Sequence, residues 1–206
     1  LHSTHGRSLA FSTGIKLHRP DLTVVNVMGD GDCTAIGGNH FIHACRRNID
    51  ITAIVMNNNI YGMTGGQASP TTPVGAFATT TPYGAVDPTF DICKLAEGAG
   101  ASYVARTTIA NPKQAETFIA NGIRKKGFSV IEIVTHCHTQ FGRKNNRRLP
   151  IENYKYFKEN SIPLALAKDK GPEELAGKIV CGEFVNKDTP EYTEQYKKLV
   201  IDKARG

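Results

Sequence analysis

The chain has 206 residues, with 25 Lys and Arg against 19 Asp and Glu, a net charge of +6 and a pI near 9.1. That length builds one large or two small domains with a real core. No window approaches the roughly 18 consecutive apolar residues of a membrane span, and the first 20 residues carry no apolar secretory segment, so neither a membrane span nor a secretory signal is expected in this sequence. The five cysteines form no C-x-x-C pair, and an odd count argues for a reducing cytoplasm over a disulfide scaffold. The positive charge suits an anionic substrate or an acidic protein. Without zinc-finger spacing, an RNP motif or heptads, nucleic acid is the weakest partner reading.

The chain opens without an initiator Met, inside a plausible element (LHSTHGRSLAFSTG), as a fragment or processed product would. Leu22 to Met28 (LTVVNVM) reads as a buried parallel strand ending in Gly-Asp-Gly. Ile36 to Arg47 reads as a helix and Ile51 to Met56 (ITAIVM) as the second strand, which implies a right-handed crossover. From Asn57 to about Val86 the chain is rich in Gly, Thr and Pro with no helical or strand period. A loop of that length in a compact domain is functional or disordered. Asp87–Pro88 predicts a helix start. Ser102 to Arg106 follows as a strand, Asn111–Pro112 as the cap of a helix ending near Lys126–Gly127, and Phe128 to Val134 as a fourth strand.

The expected fold is a doubly wound, mostly parallel α/β sheet over residues 1–140, with residues 141–206 as a C-terminal extension packing on the core or on a partner subunit. In such sheets ligands sit beyond the carboxyl ends of the strands. Gly29–Asp32, Asn57–Ile60 and Cys137 all fall there.

Two of these strand ends carry complementary chemistry. Magnesium takes about six oxygens and shares them with phosphates. Asp30 offers a carboxylate, Asn58 an amide oxygen and Ile60 a backbone carbonyl. The glycines around Asp30 permit close backbone approach, and the helix N-terminus behind them favours a diphosphate. Either piece alone is more simply a turn; together, at consecutive strand ends, they favour a metal–diphosphate clamp. A dinucleotide fingerprint needs G-x-G-x-x-G. Here Asp30 between the first two glycines would oppose a pyrophosphate without a metal.

GDG followed by a strand ending in NN resembles the signature of thiamine diphosphate enzymes. The run GDGDCTAIGGNHFIHACRRNIDITAIVMNNNIYGMTGGQASPTTP, with DPTFDICKLAEGAGASYVAR, CHTQFGRKN and VNKDTPEYTEQY, resembles more specifically the β subunit of 2-oxoacid:ferredoxin oxidoreductases, above all those acting on 2-oxoglutarate. The resemblance covers nearly the whole chain and implies a thiamine diphosphate-binding domain. It implies magnesium on Asp30, Asn58 and Ile60. Gly29, Gly31, Asp32, Tyr61, Gly62, Thr64, Gly65 and Gln67 would surround the diphosphate and thiazolium. His5 and Arg7, in THGR, would lie near the thiazolium as candidates for substrate-carboxylate contact or proton transfer, and Met63 would face the substrate.

The implied reaction is oxidative decarboxylation of a 2-oxoacid. The thiazolium carbanion attacks the keto carbon, carbon dioxide leaves, coenzyme A takes the acyl group, and electrons pass through a [4Fe–4S] cluster to ferredoxin. Cys137 matches one cluster ligand, although His138 stands where relatives often have Pro. The other ligands, a C-x-x-C pair and a further Cys, would lie upstream of Leu1. The Glu that activates the aminopyrimidine would come from an α subunit.

Other readings of these residues are blander. His136, Cys137 and His138 suggest zinc, but successive residues of an extended chain point to opposite faces. His40 and His43 share a helix face and read as packing and capping residues. Arg143, Lys144, Arg147 and Arg148 form either a solvated face or a rim that steers acidic ferredoxin. Two competing functions are a non-redox thiamine decarboxylase or synthase and a non-catalytic diphosphate-binding protein.

Overall fold

A computed structural model describes residues 1–205. Six strands form one sheet in the order β1 (Val25–Gly29), β2 (Thr52–Asn57), β6 (Ser129–Val134), β5 (Tyr103–Thr108), β8 (Ile179–Asn186) and β7 (Ser161–Pro163). All neighbours pair parallel except β5 with β8. β3 (Ile60–Tyr61) and β4 (Gln67–Ala68) form a separate antiparallel hairpin. Residues 179–186, within the expected C-terminal extension, thus enter the main sheet as β8.

Strand alternation divides the core between the two faces of the sheet. Val55, Val104 and Val130 pack with Phe41, Cys45 and Ile92 on one face. Ile54, Tyr103 and Ile131 pack with Phe118 on the other. Helices α1 (Ser8–His18), α2 (Gly38–Arg47) and α3 (Ile92–Gly98) serve the first face and α4 (Pro112–Arg124) the second. α2 ends on Asn48 in the left-handed region (φ 52°), and the Asn48 Oδ1 accepts the Phe128 N–H and the Ser102 hydroxyl, each at 2.8 Å. One short side chain therefore locks a helix end to the start of β6. After β6, α5 (Pro150–Asn160) leads to β7, and the helical turns α6 (Leu164–Ala167) and α7 (Pro172–Leu175) precede β8.

Three expectations are corrected. The Gly-Asp-Gly-Asp segment is not a turn: the backbone becomes helical at Asp30 and passes through a π-helical turn at Asp32–Ile36 before α2. The helix expected at Asp87–Pro88 begins at Ile92, where Asp91 caps it by accepting the Lys94 N–H at 3.1 Å. Residues 87–90 are instead tied to the preceding loop, with Phe90 N–H on the Pro70 carbonyl and the Thr89 hydroxyl on the Thr72 carbonyl. The Gly/Thr/Pro loop, read as lacking strands, contains the β3–β4 hairpin.

Candidate functional site

β1, β2 and β6 are adjacent and parallel, with Gly29 opposite Met56 and Asn57 opposite Val134. Their carboxyl ends therefore bring Asp30, Asn58 and the Cys137 segment to one edge of the sheet.

Asp30 is buried at 2% exposure. Its Oδ2 accepts the hydroxyls of Ser69 and Thr71, each at 2.5 Å. Burial pushes its carboxyl above the ordinary range, while the two hydroxyls and the backbone N–H groups of Asp30 and Asn58 pull it back. Both hydroxyls converge on Oδ2, so Oδ1 is left for another positive partner. The Asn58 Oδ1 accepts the Ile60 N–H at 3.2 Å, which turns the chain so that the Asn58 amide and the Ile60 peptide lie together. A carboxylate, an amide and a carbonyl form an all-oxygen donor set, and a hard divalent cation fits it.

A chain of bonds supports this edge from below. Thr71 Oγ1 lies 3.0 Å from Asn57 Oδ1, and Asn57 Nδ2 donates to Glu132 Oε1 at 2.7 Å. Glu132 pairs with Arg106 at 2.7 Å, and Arg106 pairs with Asp91 at 2.5 Å. Asp91, Cys93 and Glu132 group closely enough for a metal, but the Arg106 guanidinium already occupies their carboxylates.

The hairpin forms the upper wall. The Tyr61 ring lies over Gly31, where a Cβ would come within 2.2 Å of it, and the Tyr61 hydroxyl donates to the Gly31 carbonyl at 3.3 Å. The ring of His5 meets that of Tyr61 edge-on at 6.1 Å, and His5 Nδ1 lies 3.2 Å from Asp32 Oδ1, which also accepts the Gly6 N–H. Arg7 Nη1 donates to the Ile36 carbonyl at 3.2 Å and lies 3.3 Å from His40 Nε2. The N-terminal His5–Arg7 stretch is thus brought to the helix after β1. Gln67 Nε2 donates to the Thr64 carbonyl, and the Thr64 hydroxyl to Gln67 Oε1, closing the hairpin around Gly65 (φ 117°). Met63 stands fully exposed at its tip.

Cys137 lies against this hairpin: a Cβ on Gly62 would be 3.1 Å from its Sγ. Burial raises its thiol, but the Thr139 hydroxyl and the N–H groups of Phe141, Gln140 and Thr139 outweigh that and hold it below the ordinary range. The next residues, His138–Gly142, form a π-helical turn that presents those N–H groups. This suits a metal-bound thiolate. The other four cysteines are buried, and burial raises each of their thiols. A [4Fe–4S] cluster needs four ligands, and Cys137 is the one fitted for it among the described residues. His136 and His138 have rings 5.5 Å apart, yet no His/Cys grouping of three surrounds them among the described residues.

Residues 1–133 match the family model of the thiamine pyrophosphate enzyme C-terminal TPP binding domain. The chain is 60% identical to the 2-oxoglutarate synthase subunit KorB of Methanocaldococcus jannaschii, over 97% of this chain and 74% of that protein. It is 52% identical to the Methanothermobacter marburgensis subunit of the same name, over 99% of this chain and 72% of that protein. The chain belongs to the KorB family of 2-oxoacid:ferredoxin oxidoreductase β subunits. Among solved structures, the 2-oxoglutarate:ferredoxin oxidoreductase from Magnetococcus marinus, with 2-oxoglutarate, coenzyme A and succinyl-CoA bound, superposes with a TM-score of 0.82 at 30% identity. That match covers 97% of this chain and 69% of the other. This KorB-family chain is accordingly a subunit of a thiamine diphosphate-dependent oxidoreductase. No helix among its described residues is long and apolar enough to cross a membrane.

Reading the sequence singled out Asp30, Asn58 and Cys137, which the fold brings to one edge of the sheet, but not Ser69, Thr71 and Glu132, which bond to that edge. Ser69 and Thr71 lie in a Thr/Pro-rich stretch without periodicity, and Glu132 sits mid-strand, where an acid normally faces solvent.

Proposed function

We propose that this chain is the metal- and diphosphate-binding half of an enzyme that oxidatively decarboxylates 2-oxoglutarate, with coenzyme A as acyl acceptor and ferredoxin as electron acceptor. The observation that carries the reading is Asp30: a buried carboxylate braced on one oxygen by two hydroxyls, beside Asn58 and Ile60 at adjacent strand ends.

Asp30, Asn58 and the Ile60 carbonyl would hold magnesium, with phosphate oxygens completing its shell. Thiamine diphosphate, when bound, supplies the nucleophilic carbon and electron sink that 2-oxoacid decarboxylation needs. Gly31 admits the Tyr61 ring, which would flank the diphosphate. Asp32 holds His5 at Nδ1 and thereby fixes the ring so that Nε2 can hold or deliver a proton. Arg7, tethered through one nitrogen, keeps its other N–H groups for the substrate carboxylate. Cys137 would supply one thiolate of the [4Fe–4S] cluster beside the hairpin.

An α subunit carrying the aminopyrimidine-activating Glu completes the site, and a reducing cytoplasm suits the free thiols. The lowered Cys137 thiol favours the redox reading over a non-redox decarboxylase or a passive diphosphate binder. Dye reduction with 2-oxoglutarate, thiamine diphosphate, magnesium and coenzyme A tests the proposal. Turnover by the α subunit together with a β chain that carries the upstream cluster cysteines, and none by this chain alone, is expected; turnover by this chain alone contradicts it.

A further inference from the structure

A cavity of about 470 Å³ opens beneath the Asn57–Asn59 run, between the end of β6, α5 and the start of β8. Asn57, Asn58, Asn59 and Thr71 give it one wall in common with the clamp, but Asp30 and the hairpin residues 60–68 do not line it, and its other walls come from α3, the end of β6, α5 and the start of β8. Its volume falls in the range of small-molecule sites.

The charge around it is one-sided. Of the acidic side chains in its wall, Asp91 and Glu132 both pair with Arg106. Lys94, Arg147 and Lys178 also line it and form no ion pair among the described residues. Lys178 has only the neutral Asn160 Oδ1, at 3.2 Å.

Two further observations point to a ligand. Among the described residues, two buried side-chain polar atoms lack a hydrogen-bond partner, His136 Nδ1 and Arg147 Nη1. Both residues line this one cavity. Native proteins hold few buried, unpaired nitrogens. Arg147 is also held in place. Its guanidinium lies 3.9 Å from the Tyr156 ring centroid and 5.5 Å from that of Phe141. A basic side chain that only coats a surface is not clamped between rings, which corrects the reading of Arg147 as part of a solvated rim.

We infer that this cavity binds the phosphate of a phosphorylated organic ligand through Arg147, His136, Lys94 and Lys178. A phosphate monoester brings three strong acceptor oxygens and a charge of about −2, which matches three unpaired cations better than the single charge of a carboxylate. The cavity also exceeds what a bare phosphate ion fills. Coenzyme A is one source of such a phosphate, and a smaller phosphorylated molecule is another.

The test is calorimetric binding to the whole chain, saturated with magnesium and thiamine diphosphate, using coenzyme A, inorganic phosphate and pantetheine, which lacks phosphate. Coenzyme A and phosphate should compete with each other, and pantetheine should not compete. Arg147→Gln should weaken binding at least about tenfold, and the exposed Lys94→Gln and Lys178→Gln about threefold each. Saturation with magnesium and thiamine diphosphate keeps both probes out of the thiamine clamp, so binding seen under that condition belongs to a separate site. Phosphate binding with the same variant pattern but no coenzyme A binding upholds the site and assigns it a smaller ligand. Should Arg147→Gln fail to fold, the Lys94→Gln/Lys178→Gln double variant carries the test. No saturable binding of either probe, affinities unmoved in the double variant, or pantetheine competing as well as coenzyme A would overturn it.

Discussion

Thr71 Oγ1 stands 2.5 Å from Asp30 Oδ2, a contact between residues 41 positions apart that joins the Thr/Pro loop to the helix start after β1. Burial alone raises the Asp30 carboxyl, and the Ser69 and Thr71 hydroxyls oppose it. A metal needs the deprotonated form, so magnesium affinity falls as pH drops through this raised value. Thr71→Val removes a stabilising donor and raises the value further. The pH at which magnesium-dependent thiamine diphosphate binding is half-maximal should then move upward. Calorimetry across pH checks this; an unchanged or lowered midpoint contradicts it.

The fold was legible where an apolar period or the Asn111–Pro112 cap was present, whereas the Asp87–Pro88 pair misplaced the start of α3. Val130 and Ile131 sit in an apolar run, and Asn111 caps α4 as expected, accepting the Gln114 N–H at 3.2 Å. Gly29–Asp32 read as a turn because glycine usually marks one, yet Gly31 is there to make room for the Tyr61 ring, a contact no local pattern encodes. β8 was missed because an antiparallel pairing between residues about 80 apart leaves no local trace. At the candidate site, Asp30, Asn58 and Cys137 stood out by residue type and strand-end position, but the residues that bond to them did not. Ser69, Thr71 and Glu132 act through long-range hydrogen bonds that depend on the completed sheet.

Cys137 should be the most reactive thiol of the chain. Its pKa is lowered, so thiolate persists at pH values below the ordinary cysteine midpoint of about 8.5. The other four thiols are buried and raised. Alkylation followed by peptide mass spectrometry should label Cys137 first, with a rate midpoint below that of a free thiol. Thr139→Val removes the hydroxyl that favours the thiolate and should move the midpoint upward. Equal labelling of Cys181 and Cys137 in the folded chain contradicts the assignment.

Gly31 and Tyr61 should be energetically coupled. A Cβ at position 31 would overlap the tip of the Tyr61 ring, so Gly31→Ala must swing that ring aside and should destabilise the fold by about 1 kcal/mol. In a Tyr61→Ala background the same change should cost much less. Urea unfolding of the four proteins measures the coupling; strict additivity would show that ring and glycine do not compete for space.

Arg106 should be a stability residue for the site's foundation. It neutralises Glu132 and Asp91 in a buried setting. Arg106→Leu leaves Glu132 buried without its cation and should cost about 3–5 kcal/mol. A matching fall in the urea midpoint is expected, whereas a change within 0.5 kcal/mol, the size usual for surface sites (~0.5), contradicts the buried-pair reading.

The clamp at Asp30 is tested most directly by calorimetric titration of thiamine diphosphate into the chain, with and without magnesium, for the native protein and for Asp30→Ala. Saturable binding by the native chain that requires magnesium, and its loss in an Asp30→Ala protein that remains folded by circular dichroism, is the expected result. Binding that persists without magnesium, or that survives Asp30→Ala unchanged, contradicts a metal–diphosphate clamp at the ends of β1 and β2.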